Sequence, residues 1–398
     1  MLVSLLDYVS IISGGTPKTS VIEYWNGDIP WLSIDDFKNC NKYVYEANKF
    51  ITQKGLQNSS TNLLKHNDII ISARGTVGKL ALIYKEMAFN QSCFGIRVKD
   101  ENILNPEYLF YYLKCNISSL LKKSQGAIFD TINLDTFKYI KIELPNIKTQ
   151  IKYTTILSYV DSQIERNKAI VKRLQVLVQS IYNRWFIQFD FPNNDGKPYK
   201  TSGGKMVYNN VIKRDIPEEW KLIKLKDLMF KVNRHFDYSK DEKTIDLSVM
   251  PSNSFCLTEI NSSKSFSTNL FSMKKGDLLF GSIRPYLKKA GFAPCDGAVA
   301  GTVHCLNVYN EFDYNFCLLT LCSENMFDYA SKASKGTKMP VISCDDLLDY
   351  PIIYNEKIIR MFQSLNLKDF ISHLIAENHK LTSIKNKLLS LLINGQLQ

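Results

Sequence analysis

A stripe of apolar residues dominates the stretch from about Ile147 to Phe189, which contains neither Gly nor Pro. The stripe repeats at steps of three and four residues, with Asn167 as its polar member. This spacing predicts a long helix that packs along another long helix, with a length of about 65 Å. The apolar members are Leu157, Val160, Ile164, Val171, Leu174, Val178, Ile181 and Trp185.

A second stripe runs from about Asn355 to Asn394, again without Gly or Pro. It also carries one Asn, and it predicts the partner helix for the first stripe. Its members are Leu367, Ile371, Leu374, Asn378, Leu381, Leu388 and Leu392.

An internal repeat relates the two halves of the chain, with an offset that drifts from 220 to about 210 positions. Each half is predicted to be a mixed, strand-rich domain followed by a long helix. The matching segments are Met1–Asp7 with Lys221–Asp227, Leu32–Ile34 with Leu247–Val249, Arg74 with Arg284, Ser124–Gly126 with Ser334–Gly336, and Asn167 with Asn378.

The predicted fold class is therefore α+β, with two similar domains and two long helices. We place the first domain at residues 1–145, the first helix at 146–190, a turn-rich connector at 191–219, the second domain at 220–351 and the second helix at 352–398. Within the first domain, strands are expected at Asp28–Ile34, Asp68–Ser72, Leu80–Tyr84 and Ser92–Val98, and a short helix at Glu107–Lys114 capped by Asn105.

Composition narrows the class of protein. The 398 residues are 45% hydrophobic and 22% charged, which is typical of a folded protein, and no apolar run is long enough to cross a membrane. Nine scattered Cys without a C-x-x-C pair, five scattered His and the lack of a signal peptide favour a reducing cytoplasm without a metal site. The net charge of +11 suits a polyanionic partner, although it also fits a protein that is merely basic.

Two segments resemble enzyme motifs, but each lacks residues that its motif requires. The run Gly75–Leu80 resembles part of a phosphate loop, but Ala73 and Leu80 stand where that loop needs Gly and Ser or Thr. The run Asn105–Tyr108 resembles an amino-methyltransferase box but lacks its second Pro, and a helix cap explains it better. The chain therefore has the character of a binding protein.

Basic, glycine-bearing loops are the candidate binding elements. The loop Ser72–Lys79 combines Arg74, which can bind guanine or phosphate, with glycines that permit close backbone approach, and Gly281–Lys289 keeps the Arg and a trailing Lys. The loop Gly14–Thr19 is a second candidate, although an ordinary turn explains it equally well. A third loop, around Ser124–Gly126, recurs at Ser334–Gly336.

Taken together, these motifs make the chain resemble the DNA specificity subunit of type I restriction-modification systems. The resemblance covers nearly the whole chain and is closer in the first half, since Pro285 follows Arg284 and no Gly-Gly-Thr-Pro follows Asp227. It implies that each domain reads one half of a split site in double-stranded DNA. It also implies that the helices pack antiparallel as a spacer.

The resemblance further implies partners and cofactors. Two methyltransferase subunits and two motor-nuclease subunits would assemble on this chain, and they would hold S-adenosylmethionine, ATP and Mg²⁺, while this chain would bind no cofactor and no metal. Rival interpretations are a coiled-coil scaffold without a DNA role, tested by salt-dependent DNA binding, and a self-contained DNA methyltransferase, tested by S-adenosylmethionine binding. The bases that are read do not follow from the sequence.

The predicted functional residues form two groups. Residues predicted to bind DNA are Thr16, Lys18, Thr19, Ser33, Arg74, Thr76, Lys79, Gln91, Ser124, Gln125, Ser282, Arg284, Tyr286, Lys288, Ser334, Lys335, Thr337 and Lys338. Residues predicted to lie in the helix interface are Leu157, Val160, Ile164, Asn167, Leu174, Ile371, Leu374, Asn378, Leu381 and Leu388. No catalytic residue is predicted.

Overall fold

The computed structural model describes residues 2–125, 131–266 and 269–393, with backbone alone for 118–125 and 392–393. The chain forms two compact units. The first unit combines Met1–Glu165 with Lys380–Gln398, and the second consists of Arg166–His379. The sequence analysis placed the two long helices in segments of their own. In the structure, each unit contains part of each long helix, because the apolar side chains of both helices belong to the cores of the units.

The first unit is built from short strands and helices. Its strands are β1 (Leu2–Ser4), β2 (Val9–Ser13), β3 (Trp25–Leu32), β4 (Tyr43–Val44), β5 (Lys49–Ile51), β6 (Leu63–Leu64), β7 (Ile69–Ser72), β8 (Leu80–Ile83), β9 (Met87–Phe89), β10 (Cys93–Val98) and β11 (Lys141–Glu143). Its helices are α1 (Leu5–Tyr8), α2 (Ile34–Phe37), α3 (Gln53–Gln57), α4 (Pro106–Gln125), α5 (Leu134–Lys138) and the first part of α6 (Ile147–Tyr182).

The second unit begins within α6, which continues as a π-helical turn at Asn183–Ile187. Its strands are β12 (Met206–Asn209), β13 (Arg214–Pro217), β14 (Lys221–Lys224), β15 (Met229–Lys231), β16 (Arg234–His235), β17 (Lys243–Ile245), β18 (Asn261–Ser262), β19 (Leu270–Met273), β20 (Leu278–Gly281), β21 (Ala290–Phe292), β22 (Gly297–Ala300), β23 (Val303–Val308) and β24 (Pro351–Tyr354). Its helices are α7 (Tyr314–Leu321), α8 (Glu324–Ala333), α9 (Cys344–Leu348), α10 (Glu356–Gln363) and the first part of α11 (Leu367–Ile393).

The two units share a core topology, to which β4 adds an edge strand in the first unit and β16 adds one in the second. In the first, the sheets have the orders β2-β10-β7-β8-β4 and β5-β3-β9-β6, and β1 pairs with β11. In the second, the corresponding orders are β15-β23-β20-β21 and β16-β19-β22-β17-β18, and β14 pairs with β24. Each unit also has a parallel pair at the same place, β3 with β9 and β17 with β22. The internal repeat in the sequence is thus a repeat of structure.

Alternation along the central strands explains the two core layers of each unit. In β7, Ile69 and Ile71 join the core under α4, while Ile70 joins the core between the two sheets. In β20, Leu278 and Phe280 face one core and Leu279 faces the other. Because successive side chains point to opposite faces and both faces are covered, these strands are continuously apolar.

Side-chain contacts repeat as well. The amide oxygen of Gln150 accepts a hydrogen bond from the backbone of Asn105 at 2.8 Å, and Gln363 accepts one from Asn315 at 2.9 Å. The carboxylates of Asp68 and Asp277 each accept the backbone N–H three residues earlier, both at 2.7 Å. These contacts fix the same turns in both copies.

The second long helix differs from its prediction. A single helix was expected from about Asn355, but the structure has α10 and α11 separated by Ser364–Asn366. The side chain of Asn315 donates to the carbonyls of Leu365 at 2.6 Å and Phe362 at 3.5 Å, which satisfies backbone acceptors freed by the break. Helix α4 also differs, since it extends beyond the predicted Lys114 to Gln125.

The predicted connector has structure of its own. Strands β12 and β13 form an antiparallel hairpin, and Phe189, Phe191 and Trp220 join the core of the second unit. The guanidinium of Arg214 lies 4.7 Å from the ring centre of Phe189 and donates to the carbonyl of Ile187 at 2.8 Å. The connector is therefore part of the second unit.

Candidate nucleic-acid interface

Two predicted loops of the first unit, Gly14–Thr19 and Ser72–Lys79, meet the segment 131–135 at one cleft. Thr131 and Ile132 lie beside the Arg74 loop, where the backbone of Ile132 donates to the carbonyl of Ala73 at 2.8 Å and Thr131 forms a β-bridge with Arg74. The Gly14 loop closes the cleft from another side. The cleft has a volume of about 420 Å³ and is lined by Ser13, Gly14, Ala73, Arg74, Gln91, Cys93, Phe94, Ile132, Asn133, Leu134 and Asp135.

The Arg74 loop has a defined shape. It connects β7 to β8, and its base is closed by Ser72, whose hydroxyl accepts from the backbone of Lys79 at 2.8 Å and donates to the carbonyl of Thr76. Gly75 has a φ of +71°, in the left-handed region that favours glycine. Arg74, Thr76 and Lys79 are exposed. The loop therefore presents a cation on a closed turn.

The Gly14–Thr19 loop is tied to the Trp31 strand and to Gln91. The indole of Trp31 donates to the carbonyl of Gly15 at 3.0 Å, and the Thr16 hydroxyl bonds the side chain of Gln91. A side chain at Gly14 would lie 2.0 Å from the Asn90 carbonyl oxygen, so the close approach requires glycine. Lys18 and Thr19 are exposed.

The second unit places its loops in the same arrangement. Arg284 donates from its backbone to the carbonyl of Pro340 at 2.8 Å, and Ile342 donates to the carbonyl of Ser282 at 3.0 Å. Thus the Ser334–Lys338 loop lies beside the Arg284 loop, as the 131–135 segment lies beside the Arg74 loop. Lys335, Thr337 and Lys338 are exposed.

Arg284 is held differently from Arg74. Its own φ is +51°, and the next residues form a 3₁₀ turn at Pro285–Leu287. Its Nε is buried, and within the described part of the chain no acceptor lies within hydrogen-bond reach of that atom. Lys288 pairs with Glu324 at 2.5 Å, whereas Tyr286 is exposed.

The side chains of several residues predicted to bind DNA make hydrogen bonds within the protein. Ser33 caps α2, with its hydroxyl donating to Asp36 at 2.7 Å. Ser282 is buried and donates to the carbonyl of Thr302 at 2.8 Å, and Ser334 donates to Ala330 at 2.6 Å. The structure gives these hydroxyls a role in shaping the loops. The side chains of Ser124 and Gln125 lie outside the described residues.

Other residues near the loops were not predicted from the sequence. Asn133 and Asp135 line the cleft of the first unit. Their position in the sequence, shortly after the repeated Ser-x-Gly loop, is the feature that could have identified them. In the second unit, His304 bonds the carbonyl of Ile342 at 2.9 Å beneath the loop pair. Burial lowers the pKa of this imidazole, so it is neutral at physiological pH.

The long helices carry the second group of predicted residues. In the second unit, Asn167 donates to the side-chain oxygen of Asn378 at 3.0 Å and to Glu377 at 3.0 Å. Every predicted interface residue is buried or half-buried. They are Leu157, Val160, Ile164, Asn167, Leu174, Ile371, Leu374, Asn378, Leu381 and Leu388.

A buried ion pair in the first unit also joins the two helices. Lys385 of α11 donates to the carboxylate of Asp161 of α6 at 2.5 Å, and both side chains are almost fully buried. Asn41 and Tyr111 bond the same carboxylate at 2.7 and 2.6 Å. The predicted stripe skipped Lys385, although it stands between Leu381 and Leu388 at the spacing of the stripe.

Two kinds of feature are absent from the described residues. No helix in residues 2–125, 131–266 or 269–393 is long and apolar enough to cross a membrane. In the same part of the chain, His, Cys, Asp and Glu side chains form no group that could hold a metal ion.

Comparisons with known proteins agree on one family. A family model described as the type I restriction modification DNA specificity domain matches residues 1–176. The specificity subunit of the type I restriction enzyme MjaIX of Methanocaldococcus jannaschii is 27% identical, with 98% of this chain and 92% of the relative covered. The specificity subunit of the Escherichia coli enzyme EcoR124I/EcoR124II is 32% identical over 37% of this chain and 38% of the relative.

A solved structure has the same fold. The crystal structure of a type I restriction-modification S subunit from M. genitalium superposes with a TM-score of 0.57 at 14% sequence identity. The match covers 99% of this chain and 96% of the crystallised one. At this identity the likeness concerns the fold, which is α+β with two domains and long helices.

Proposed function

This chain belongs to the DNA specificity subunits of type I restriction-modification systems, and from that premise we propose that each unit reads one half of a split DNA site. As a specificity subunit, it supplies sequence recognition and not catalysis. The main support for this proposal is a pair of adjacent loops that recurs in both units. Arg74 lies beside Thr131 in the first unit, and Arg284 lies beside Pro340 in the second.

The chemistry of these loops fits double-stranded DNA. Arg74 and Arg284 carry guanidinium groups that can bind guanine at O6 and N7 or bind a phosphate. Exposed lysines surround them, namely Lys18 and Lys79 in the first unit and Lys335 and Lys338 in the second. The net charge of +11 adds long-range attraction to a polyanion. Gln91, which lines the cleft of the first unit and accepts a hydrogen bond from Thr16, carries a side-chain amide of the kind that can bind adenine.

The helices have two roles in this proposal. Their buried stripes hold α6 against α11 within each unit and set the spacer between the half-sites. Their outward faces receive two methyltransferase subunits. In support, α6 exposes Ile151 and Tyr159 in the first unit, and Val176 and Leu177 in the second, on the side away from its buried stripe. Exposed apolar side chains on a helix are typical of protein interfaces.

The catalytic groups then belong to the partners. We propose that the methyltransferase subunits hold S-adenosylmethionine and methylate adenine, and that two motor-nuclease subunits use ATP and Mg²⁺. This chain would bind none of these cofactors. A purified chain that bound S-adenosylmethionine by itself would contradict this division of labour.

Methylome sequencing tests the proposal directly. Cells that carry the gene with its methyltransferase partner should contain a methylated bipartite sequence that is absent without the gene. Exchanging residues 1–145 for those of a relative should change one half of that sequence and leave the other half and the spacer unchanged. A change in both halves, or a continuous methylated site, would contradict the modular model.

A further inference from the structure

The Arg284 loop ends in an exposed apolar surface. The 3₁₀ turn Pro285–Leu287 presents Tyr286 and Leu287, which are 54% and 40% exposed. The hydrogen-bonded neighbouring segment presents Met339 and Val341, which are 55% and 41% exposed. We call these four side chains the apolar tip.

The tip is held rigidly. Pro285 is buried and fixes the first φ of the turn, and Leu287 and Lys288 donate to the carbonyls of Arg284 and Pro285, both at 2.8 Å. The ion pair from Lys288 to Glu324 anchors its base at 2.5 Å.

The backbone on either side of the turn is strained. Arg284 and Lys288 both have positive φ, +51° and +55°, which is unfavourable for residues other than glycine. Such strain persists where the surroundings impose it, and it is concentrated at ligand-contacting loops. The turn that exposes Tyr286 and Leu287 to solvent therefore requires unfavourable backbone conformations at the residues on either side of it.

The neighbouring segment is shaped just as closely. The backbones of Lys335 and Val341 exchange two hydrogen bonds of 2.9 Å, which close the loop that carries Met339. Gly336 has a φ of +98°, and a side chain there would lie 3.1 Å from the Met339 carbonyl oxygen. Both halves of the tip are therefore preorganised.

The charge around the tip indicates what covers it. Lys335 and Lys338 are exposed on the loop that carries Met339, and Arg284 stands at the base of the turn. An apolar surface with exposed cations beside it fits a ligand that is anionic outside and offers apolar groups within. Duplex DNA has this character in its major groove, where the apolar group on a base edge is the thymine methyl.

The first unit is built differently at this place. Its loop continues from Arg74 with Gly75 and Thr76, and Val77 is partly buried against the core of that unit. Among the described residues of the Arg74 loop, no large apolar side chain is exposed. The exposed pair Tyr286 and Leu287 thus has no counterpart among residues 72–79 of the first unit, as expected of side chains that distinguish two half-sites.

We propose that the apolar tip reads thymine methyl groups, and that the half-site of the second unit therefore contains at least one thymine in contact with Tyr286 or Leu287. This inference rests on the proposed function, since it assumes that the Arg284 loop faces DNA. It adds the chemical identity of a base group that the second unit selects.

The test replaces thymine by deoxyuracil, which removes the methyl group and leaves the base pair intact. The probe is a duplex with the methylated sequence of the complex, and the protein is the full chain with its methyltransferase subunits. The exchange of residues 1–145 identifies the half-site of the second unit. Replacing the contacted thymine there should weaken binding about fourfold, whereas replacements in the other half-site should leave binding unchanged.

Variants connect the effect to the tip. Tyr286→Ser or Leu287→Ser should weaken binding to the thymine duplex and abolish the difference between thymine and deoxyuracil. Tyr208→Ser removes a comparably exposed tyrosine, at 62% against 54% for Tyr286, from the β12–β13 hairpin and serves as the control, with the difference retained. The comparison of thymine with deoxyuracil on the unaltered protein decides the question even where a variant fails to fold.

Three results would overturn the inference. The half-site of the second unit could lack thymine, deoxyuracil could bind as well as thymine, or the tip variants could lose the methyltransferase subunits while free DNA binding stayed intact. The last result would assign the tip to a protein partner. The absence of any bipartite methylated sequence would instead contradict the proposed function itself, so the two failures are distinguishable.

Discussion

At the scale of single residues, Arg74 and Arg284 occupy matching positions of the two repeats, but their loops have different backbone conformations. The backbone around Arg74 turns at Gly75, which leaves the side chain on an exposed loop. The backbone around Arg284 turns at the arginine itself, and Pro285 then stiffens the loop. The same cation is thus presented with different neighbours in the two units, which fits the proposal that each unit reads its own half-site.

Replacing Arg74 by Ala should weaken DNA binding by about 1–3 kcal/mol if the guanidinium contacts a base. Specificity should relax in one half-site, because Arg74 belongs to one unit. The measurement is the affinity for duplexes with single changes in each half-site, over a range of salt concentrations. An equal loss on all sequences with a smaller salt slope would assign Arg74 to a phosphate, and Arg284→Ala gives the matched comparison for the other half-site.

A second residue-scale prediction concerns Asp313, which is fully buried at the start of α7. Burial raises the pKa of its carboxyl to about 6; a hydrogen bond from Tyr354 and the nearby charge of Arg360 oppose the rise, and Glu356 adds to it. The folded state therefore holds this proton more tightly than the unfolded state. The stability from the neutral carboxyl is present at low pH and is lost as the pH rises from about 4 to about 6.

Asp313→Asn should accordingly stabilise the protein at pH 7.5 by about 2–3 kcal/mol, with little effect at pH 4. Urea unfolding at the two pH values measures the difference. The control is Asp349→Asn, where hydrogen bonding to Lys226 lowers the pKa of the carboxyl and no gain in stability is expected at neutral pH. A gain for Asp313→Asn that was the same at both pH values would contradict the titration.

At the scale of elements, the contact between α6 and α11 depends on polar as well as apolar layers. The Asp161–Lys385 layer belongs to the first unit and the Asn167–Asn378 layer to the second. Apolar layers tolerate a shift of one helix along the other, whereas a buried polar layer is satisfied in one register. We expect these layers to specify how the helices align.

Lys385→Met should therefore be strongly destabilising, by about 3–5 kcal/mol, because it leaves the Asp161 carboxylate buried without its cation. The double variant Asp161→Leu with Lys385→Met should recover most of the loss. Urea unfolding of both single variants and the double variant measures the coupling. The exposed pair Glu356–Arg360 is the control, and its removal should cost less than about 0.5 kcal/mol.

At the scale of the whole molecule, the proposed spacer role makes a prediction about DNA length. Four residues added after Glu165 and four added after His379 would lengthen each helix by about 6 Å. One base-pair step is about 3.4 Å, so the spacer should grow by one or two base pairs while both half-sites stay the same. Each insertion also rotates its helix by about a tenth of a turn, so some loss of stability is expected.

The methylated sequence in cells with the lengthened protein measures the spacer. Four substitutions of exposed polar residues in the same helices, without added length, provide the control. Methylation that persisted at the original spacing, with none at a longer spacing, would show that the helices do not set the distance.

The sequence by itself determined the features that depend on local pattern. The period of three and four residues gave the long helices, the repeated order of motifs predicted two copies of one α+β plan, and the Asn105 side chain caps α4 by accepting from Tyr108 at 3.0 Å. The strands at β7, β8 and β10 were also predicted, because alternating or continuous apolar runs between turn residues are local signals.

The tertiary structure decided what depends on partners far away in the chain. Asp161 meets Lys385 across 224 positions, and Asn315 satisfies the break between α10 and α11 from 50 positions away. The buried Ser282 hydroxyl is satisfied because it donates a hydrogen bond to the carbonyl of Thr302, and the Arg284 turn is positioned because its backbone donates to the carbonyl of Pro340. No local pattern contains these contacts, since hydrogen bonding and burial depend on which distant groups the completed fold brings within reach.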